Sequence, residues 1–184
     1  HFCLQYLQKR KIPSKFYNKL LFTSHYKKFC DSLVPNHDKQ IVDDARLIIP
    51  YYDEYNDLIA VSGRALETSD KTLRYVTLRT QESDKKLIYG MDRVNVNKTV
   101  KIVEGPIDSL FLDNCVASGD ANLILAAKSI NAANMVLCPD REPRNKEICK
   151  SMEKAIKSNY CIVIWPDTMK GKDINEMILN GFTT

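Results

Sequence analysis

The segment Val100-Lys101-Ile102-Val103-Glu104-Gly105-Pro106-Ile107-Asp108-Ser109 constrains this 184-residue chain more than any other. Val100, Ile102 and Val103 are β-branched and suit a buried strand. The strand stops at a carboxylate, Glu104. Gly105 can cap a following helix, and Pro106 fits the first helical position, where its missing N–H costs nothing. Glu104 is thereby placed at the carboxyl end of a strand, the edge where open α/β sheets bind ligands.

The same pattern repeats downstream. Apolar runs at 100–104, 115–117, 134–138 and 161–165 read as strands, and helices are expected at about 107–114, 121–130, 146–158 and 174–180. Asp120 is a natural N-cap for the second of these helices. Repeated βα units give a parallel sheet covered by helices, with right-handed crossovers. Three strand ends then carry acids: Glu104, Asp140 with Glu142, and Asp167 with Asp173. Parallel strands bring those ends to one edge. Carboxylates gathered without nearby bases repel one another, and a divalent cation is the usual relief. Hard oxygen ligands select Mg²⁺ or Mn²⁺, and such ions serve phosphoryl and nucleotidyl transfer. Taken singly, each acid has a structural explanation. Asp108 in a first helical turn favours the macrodipole, Asp140 before Arg141 suits an exposed turn, and Asp173 suits an N-cap.

Ahead of residue 100 the pattern differs. Residues 2–34 read as three helical segments, broken at Ile12-Pro13-Ser14 and ending before Pro35, with Ser14 as the expected N-cap of the second. Residues 47–52 and 58–64 form a predicted hairpin around the turn 53–57, and short strands are expected at 72–78 and 86–89. The charge is uneven. Residues 1–40 hold eight Lys or Arg and two Asp, a net of +6, whereas the whole chain carries +4. A basic flank beside an acidic edge suits a polyanion held on one side and reacting on the other. The interleaved aromatics (Phe16, Tyr17, Tyr26) can stack on bases, although such residues more often form the buried stripe of an amphipathic helix.

No apolar run approaches the roughly 18 residues of a membrane span, and no signal peptide is read at the basic, mixed start. The six cysteines form no C-x-x-C pair, so no zinc ribbon is expected. They read as reduced structural thiols in a cytoplasmic compartment. Cys115, Cys138 and Cys161 lie in apolar runs.

At these residues a resemblance is specific. Glu104-Gly105-Pro106-Ile107-Asp108, Asp140-x-Glu142 and Pro166-Asp167…Lys172-Asp173-Ile174-Asn175 are similar to the three acidic motifs of the Toprim domain. With Arg46-Leu-Ile-Ile-Pro-Tyr-Tyr-Asp, Leu58-Ile-Ala-Val-Ser-Gly-Arg64, Arg74-Tyr75 and Ile88-Tyr89-Gly90, the chain resembles the catalytic core of a DnaG-type DNA primase over residues 40–184. The run Asp140-Arg-Glu142-Pro-Arg-Asn145 looks like primases of large tailed phages, which work with a ring helicase.

The resemblance implies an α/β fold. A mixed helical and β subdomain (1–97, helical to 40 and β-rich from 41) precedes a Toprim domain (98–184) with a four-stranded parallel sheet flanked by helices. It implies synthesis of RNA primers on single-stranded DNA from ribonucleoside triphosphates. Glu104, Asp140 and Glu142 are the catalytic candidates. Asp108, Asp167 and Asp173 join them as metal ligands for Mg²⁺ or Mn²⁺. Arg10, Arg64, Arg74, Lys85 and Lys86 are candidates for phosphate contacts. Two departures stand out: Glu142 occupies a position where the bacterial pattern has Asp, and the family's zinc module is not represented, so an isolated polymerase core is expected. The alternatives are a Toprim nuclease and a non-catalytic single-strand-binding module. A topoisomerase needs a much larger clamp.

Overall fold

The computed structural model describes residues 2–66, 74–119, 122–142 and 145–183, and the chain divides into two compact units, His1–Asp84 and Lys85–Thr184. The division lies ahead of the expected 97/98 boundary. Ile88 belongs to the buried cluster of Val100 and Ile102, and Tyr89 bridges Ala117 in antiparallel sense. Among the described residues that bridge takes the place of the strand expected at 86–89.

In the first unit the expected hairpin forms. β2 (Arg46–Tyr52) and β3 (Leu58–Ala65) pair antiparallel, and the Asp53 carboxylate closes their turn by accepting the Tyr55 and Asp57 N–H groups, both at 2.9 Å. β4 (Tyr75–Arg79) joins β3, and β1 (Leu21–Thr23) joins β2, giving the order β1-β2-β3-β4. Part of the predicted strand 72–78 lies outside the described residues. α1 (Phe2–Lys9) and α2 (Tyr26–Leu33) form as read, but the helix expected between them does not. Residues Ser14–Lys19 make a 3₁₀ turn capped by Pro13 rather than Ser14, and the chain then turns extended. Leu21 and Phe22 pair with Ile48 and Leu47, so edge-strand hydrogen bonds with β2 win over helix propensity there.

This unit's core is drawn in by Tyr26, which is fully buried. Its hydroxyl donates to the Val76 carbonyl at 2.6 Å and accepts the Gly63 N–H at 3.0 Å. Only glycine fits at 63, since a Cβ there would lie 2.5 Å from Tyr26 Cε2. Burial of the phenol raises its pKa.

The second unit holds the four-stranded parallel sheet: β5 (Val100–Val103), β6 (Cys115–Ala117), β7 (Met135–Leu137) and β8 (Cys161–Ile162), in the order β6-β5-β7-β8. Val100, Ile102 and Val103 are essentially inaccessible, as expected of a central parallel strand covered on both faces, and Val116 is equally buried on the edge strand β6, which the Tyr89–Ala117 bridge covers. Cys115 and Cys138 are buried too, and burial pushes the Cys138 thiol up to about 11. Cys161 is exposed, because β8 is an edge strand.

α3 (Leu123–Ser129), α4 (Lys146–Lys157) and α5 (Ile174–Leu179) follow their strands. The cap of α3 is Asn122, whose side chain accepts the Leu125 N–H; Asp120 lies outside the described residues. The helix expected at 107–114 contracts to a 3₁₀ turn, Asp108–Leu110. Asn114 stops it. That residue sits at φ +46, and its carboxamide donates to the carbonyls of Asn95 and Thr99, pinning the chain before β6.

Gly90 shapes the entry to this unit. It sits at φ +97, and a Cβ there would lie 2.6 Å from the Arg93 guanidinium. That guanidinium stacks 4.6 Å over Tyr89 and donates to Ser109 Oγ at 2.9 Å, and Ser109 Oγ in turn donates to the Pro106 carbonyl at 2.7 Å. Gly90→Ala is expected to cost about 1–3 kcal/mol through backbone strain and a displaced guanidinium. A urea midpoint equal to that of the unsubstituted protein would remove Arg93 from the support of the Glu104 loop.

Candidate active site

The acids gather because two neighbouring parallel strands, β5 and β7, end together. The Cys138 N–H donates to the Ile102 carbonyl, so Pro139 and Asp140 leave the sheet beside Glu104. Glu104 itself is exposed, and its Oε1 accepts the Asp140 N–H at 3.3 Å. The Asp140 side chain retains 21% of its accessibility. Burial first, and then the charges of Glu104, Asp108 and Asp173, push its carboxyl up to about 8 against the pull of Lys172.

Asp108 and Asp173 are held by the first turn of α5. Asp108 Oδ1 accepts the Asn175 N–H at 2.8 Å, and Asp173 Oδ1 accepts the Glu176 N–H at 2.7 Å as the helix cap. Each carboxylate thus has a structural duty and still bears on Asp140. Glu142 stands one step out: its Oε2 accepts from Asn145 Nδ2 at 2.6 Å, and its Oε1 is ion-paired with Lys172. Asp167 is exposed on the loop after β8 and enters mainly through its main chain. Its carbonyl accepts from Arg141 Nη2 at 3.0 Å. With Asp140 it lines a depression open to solvent, whose other walls include Trp165, Met152 and Ile164.

Sequence reasoning missed four neighbours of the acids. Lys172 is the cation of the cluster. Arg141 ties the loop after β7 to the loop after β8, Asn145 holds Glu142 while capping α4, and the buried Asn175 presents its N–H to Asp108. Lys172 and Asn175 flank Asp173 in sequence, so their nearness was available. Their orientation was not.

Among the described residues no three carboxylates stand close enough to hold one metal ion in this side-chain arrangement. The donor chemistry nonetheless fits a hard divalent cation. The set is all oxygen, burial and the neighbouring carboxylates both raise the Asp140 pKa, and Glu104 is exposed and so has room to rotate.

The basic candidates fall into two kinds. Arg74, Lys85 and Lys86 are exposed. Arg10 is half-buried, its guanidinium 5.5 Å from the Tyr6 ring. Arg64 is only 8% exposed; its guanidinium lies 4.9 Å from the Tyr75 ring and 5.7 Å from that of Tyr6, and it hydrogen-bonds the Tyr75 hydroxyl. Among the described residues its Nε is buried without a hydrogen-bond partner, while its guanidinium interacts with the Tyr6 side chain.

No family model matches the chain. It is 32% identical over 179 residues to the DNA primase of Enterobacteria phage T4, which takes in 97% of this chain and 51% of that protein. The chain therefore spans about half the length of this curated relative. Among solved structures it is similar to the DnaG primase catalytic domain bound to single-stranded DNA (TM-score 0.65, 17% identity, covering 98% of this chain and 68% of that one). It is also similar to the RNA polymerase domain of Mycobacterium tuberculosis DnaG in complex with double-stranded DNA (TM-score 0.69, 16% identity, covering 98% and 69%). At such identities these likenesses show fold. The antiparallel sheet followed by the four-stranded parallel sheet is the architecture of the DnaG catalytic core, with its Toprim domain.

Proposed function

We propose that this chain, which carries the fold of DnaG catalytic cores and is related along nearly its whole length to a phage primase, synthesises RNA primers on single-stranded DNA. The observation that carries the reading is the acid set around Asp140 at the carboxyl edge of the Toprim sheet. The substrates are ribonucleoside triphosphates, and the reaction is nucleotidyl transfer with release of pyrophosphate. A Mg²⁺ or Mn²⁺ ion held by Glu104, Asp140 and Glu142, with Asp108, Asp167 and Asp173 in support, would activate the attacking hydroxyl and neutralise the leaving group.

The protein's own part is to fix these oxygens before substrate arrives. Asp108 and Asp173 are held by main-chain N–H groups of α5, and Glu142 by Asn145. Preorganised charge of this kind needs no reorientation at the moment of reaction. Arg10, Arg74, Lys85 and Lys86 are assigned to phosphates of template or nucleotide. Arg64 joins them through its unpartnered Nε, which an anionic oxygen would satisfy. A replicative ring helicase is the proposed partner and the host cytoplasm the proposed location, both resting on the likeness to phage primases. No helix among the described residues is long and apolar enough to cross a membrane.

The direct test is incubation with single-stranded DNA, the four ribonucleotides and Mg²⁺ or Mn²⁺. Short RNA is the expected product, whereas cut DNA without RNA would transfer the site to a nuclease. Template holding is tested separately. Residues 1–40 carry a net +6, so binding of single strands should weaken with salt, by a log–log slope of about −0.7 per phosphate neutralised. Replacing Lys9, Arg10 and Lys11 by Ala is expected to flatten that slope. An unaltered slope would assign the cluster to a solvated face.

A further inference from the structure

Lys172 stands within the acid cluster. Its Nζ is ion-paired with Glu142 Oε1 and lies 3.9 Å from Asp140 Oδ2. The placement is built by the backbone. The Lys172 carbonyl accepts the Arg141 N–H at 2.6 Å, and the Lys172 N–H donates to Glu176 Oε2 at 2.9 Å. Gly171 makes the approach possible: it sits at φ +114, and a Cβ there would come within 2.6 Å of the Met177 nitrogen. The lysine side chain is 52% exposed, so water is available to it and the carboxylates draw it in.

We infer that Lys172 is an internal counter-ion that competes with the divalent cation for Asp140 and Glu142, so that loading the site requires the ammonium to leave. The inference rests on the metal-dependent reading above. Glu142 Oε1 is occupied by the Lys172 ammonium, which must leave before a cation can take that oxygen, whereas the Asn145 hydrogen bond to Oε2 can remain and hold the carboxylate in place. The present arrangement is then one organised about an ammonium, which offers three donors on a flexible stem, instead of about a bare ion. Two consequences follow. The metal-free protein is spared part of the repulsion among its carboxylates. The affinity for the ion is lowered by whatever the lysine contributes.

The test is Mn²⁺ binding to the protein without nucleotide or DNA, followed by titration calorimetry and by the spin signal of free Mn²⁺. Three proteins are compared: the unsubstituted chain, Lys172→Met, and Lys170→Met, which removes an equal charge from an exposed position two residues away. Circular dichroism checks that each is folded. Lys172→Met is expected to bind Mn²⁺ about fivefold tighter, the scale set by a half-exposed ion pair. Lys170→Met is expected to change the affinity less than about twofold, as screened charge alone would. Equal affinities for Lys172→Met and the unsubstituted chain, or equal gains in both variants, would overturn the competition while leaving the metal site standing. Absence of Mn²⁺ binding in all three would overturn both the competition and the metal-dependent reading.

Discussion

Asp140→Asn is expected to lower primer synthesis by about a hundredfold or more while making the metal-free protein harder to melt. The activity loss follows from removing an oxygen ligand that can give up its proton to a cation, as Asn cannot, and preorganised electrostatic groups are typically worth about 10²–10³ in rate. The stability gain follows from the other face of the same geometry. The Asp140 carboxyl is pushed up to about 8 by burial first and then by Glu104, Asp108 and Asp173, against about 3.9 in an unfolded chain. Between those two values the folded protein binds a proton that the unfolded chain does not. Stability therefore falls as pH rises through this window and levels off above the folded pKa. Asn is neutral throughout and escapes the loss. The advantage of the variant should thus be smallest near pH 4 and largest above pH 8, reaching several degrees in melting temperature. Melting curves in a chelating buffer at three pH values, alongside primer synthesis with Mg²⁺, measure both. Near-normal synthesis, or a melting advantage that does not grow with pH, would remove Asp140 from the centre of the site.

What was legible in the sequence is what local chemistry determines. Val100, Ile102 and Val103 announce a buried strand wherever they fold, and a strand that ends in Glu104 puts its carboxylate on the sheet edge. Of the three such endings, those of β5 and β7 bring Glu104 and Asp140 side by side, while Asp167 after β8 stays exposed. The hairpin 46–65 was readable for the same reason, its apolar runs being separated by a turn-forming Asp53 and Asn56.

The unread features depend on partners far along the chain. Leu21 and Phe22 carry no strand period, and they are extended only because the β2 edge offers Ile48 and Leu47. Arg64 reads as a surface cation until the Tyr6 and Tyr75 rings close over it. Lys172 stands within the third acidic motif, but nothing in Gly171-Lys172-Asp173 says that its carbonyl will accept the Arg141 N–H beside Glu142. In each case a charged or short segment takes its meaning from tertiary contact, where propensity is a weak guide.

Asp44→Ala is expected to destabilise the first unit by about 2–4 kcal/mol, more than removing both members of the pair it breaks. Arg46 is fully buried on β2. Its Nε meets Asp44 Oδ1 at 2.6 Å and its Nη2 meets Asp44 Oδ2 at 2.9 Å, a two-pronged ion pair. Its Nη1 donates to the Gly63 carbonyl at 2.9 Å, and the guanidinium lies 5.2 Å from the Tyr26 ring centroid. One cation therefore links the start of β2 to β3 and to α2. Arginine does not discard its charge at any working pH, so without Asp44 a guanidinium is left buried without its carboxylate. Breaking a buried pair from one side typically costs about 3–5 kcal/mol. Asp44 is one-third accessible, which reduces the figure because water already screens the pair. Adding Arg46→Met removes the stranded charge and keeps most of the side-chain volume. The double variant should therefore recover part of the loss, leaving about 1–2 kcal/mol. Amide exchange of Ile48 and Val61, which lie on β2 and β3, reports on this unit alone. Protection at both should fall by about 30-fold or more in Asp44→Ala, since each tenfold corresponds to about 1.4 kcal/mol. It should return part way when Arg46→Met is added. A double variant less protected than Asp44→Ala would mean that Arg46 holds this unit together through Gly63 and Tyr26, with the ion pair secondary.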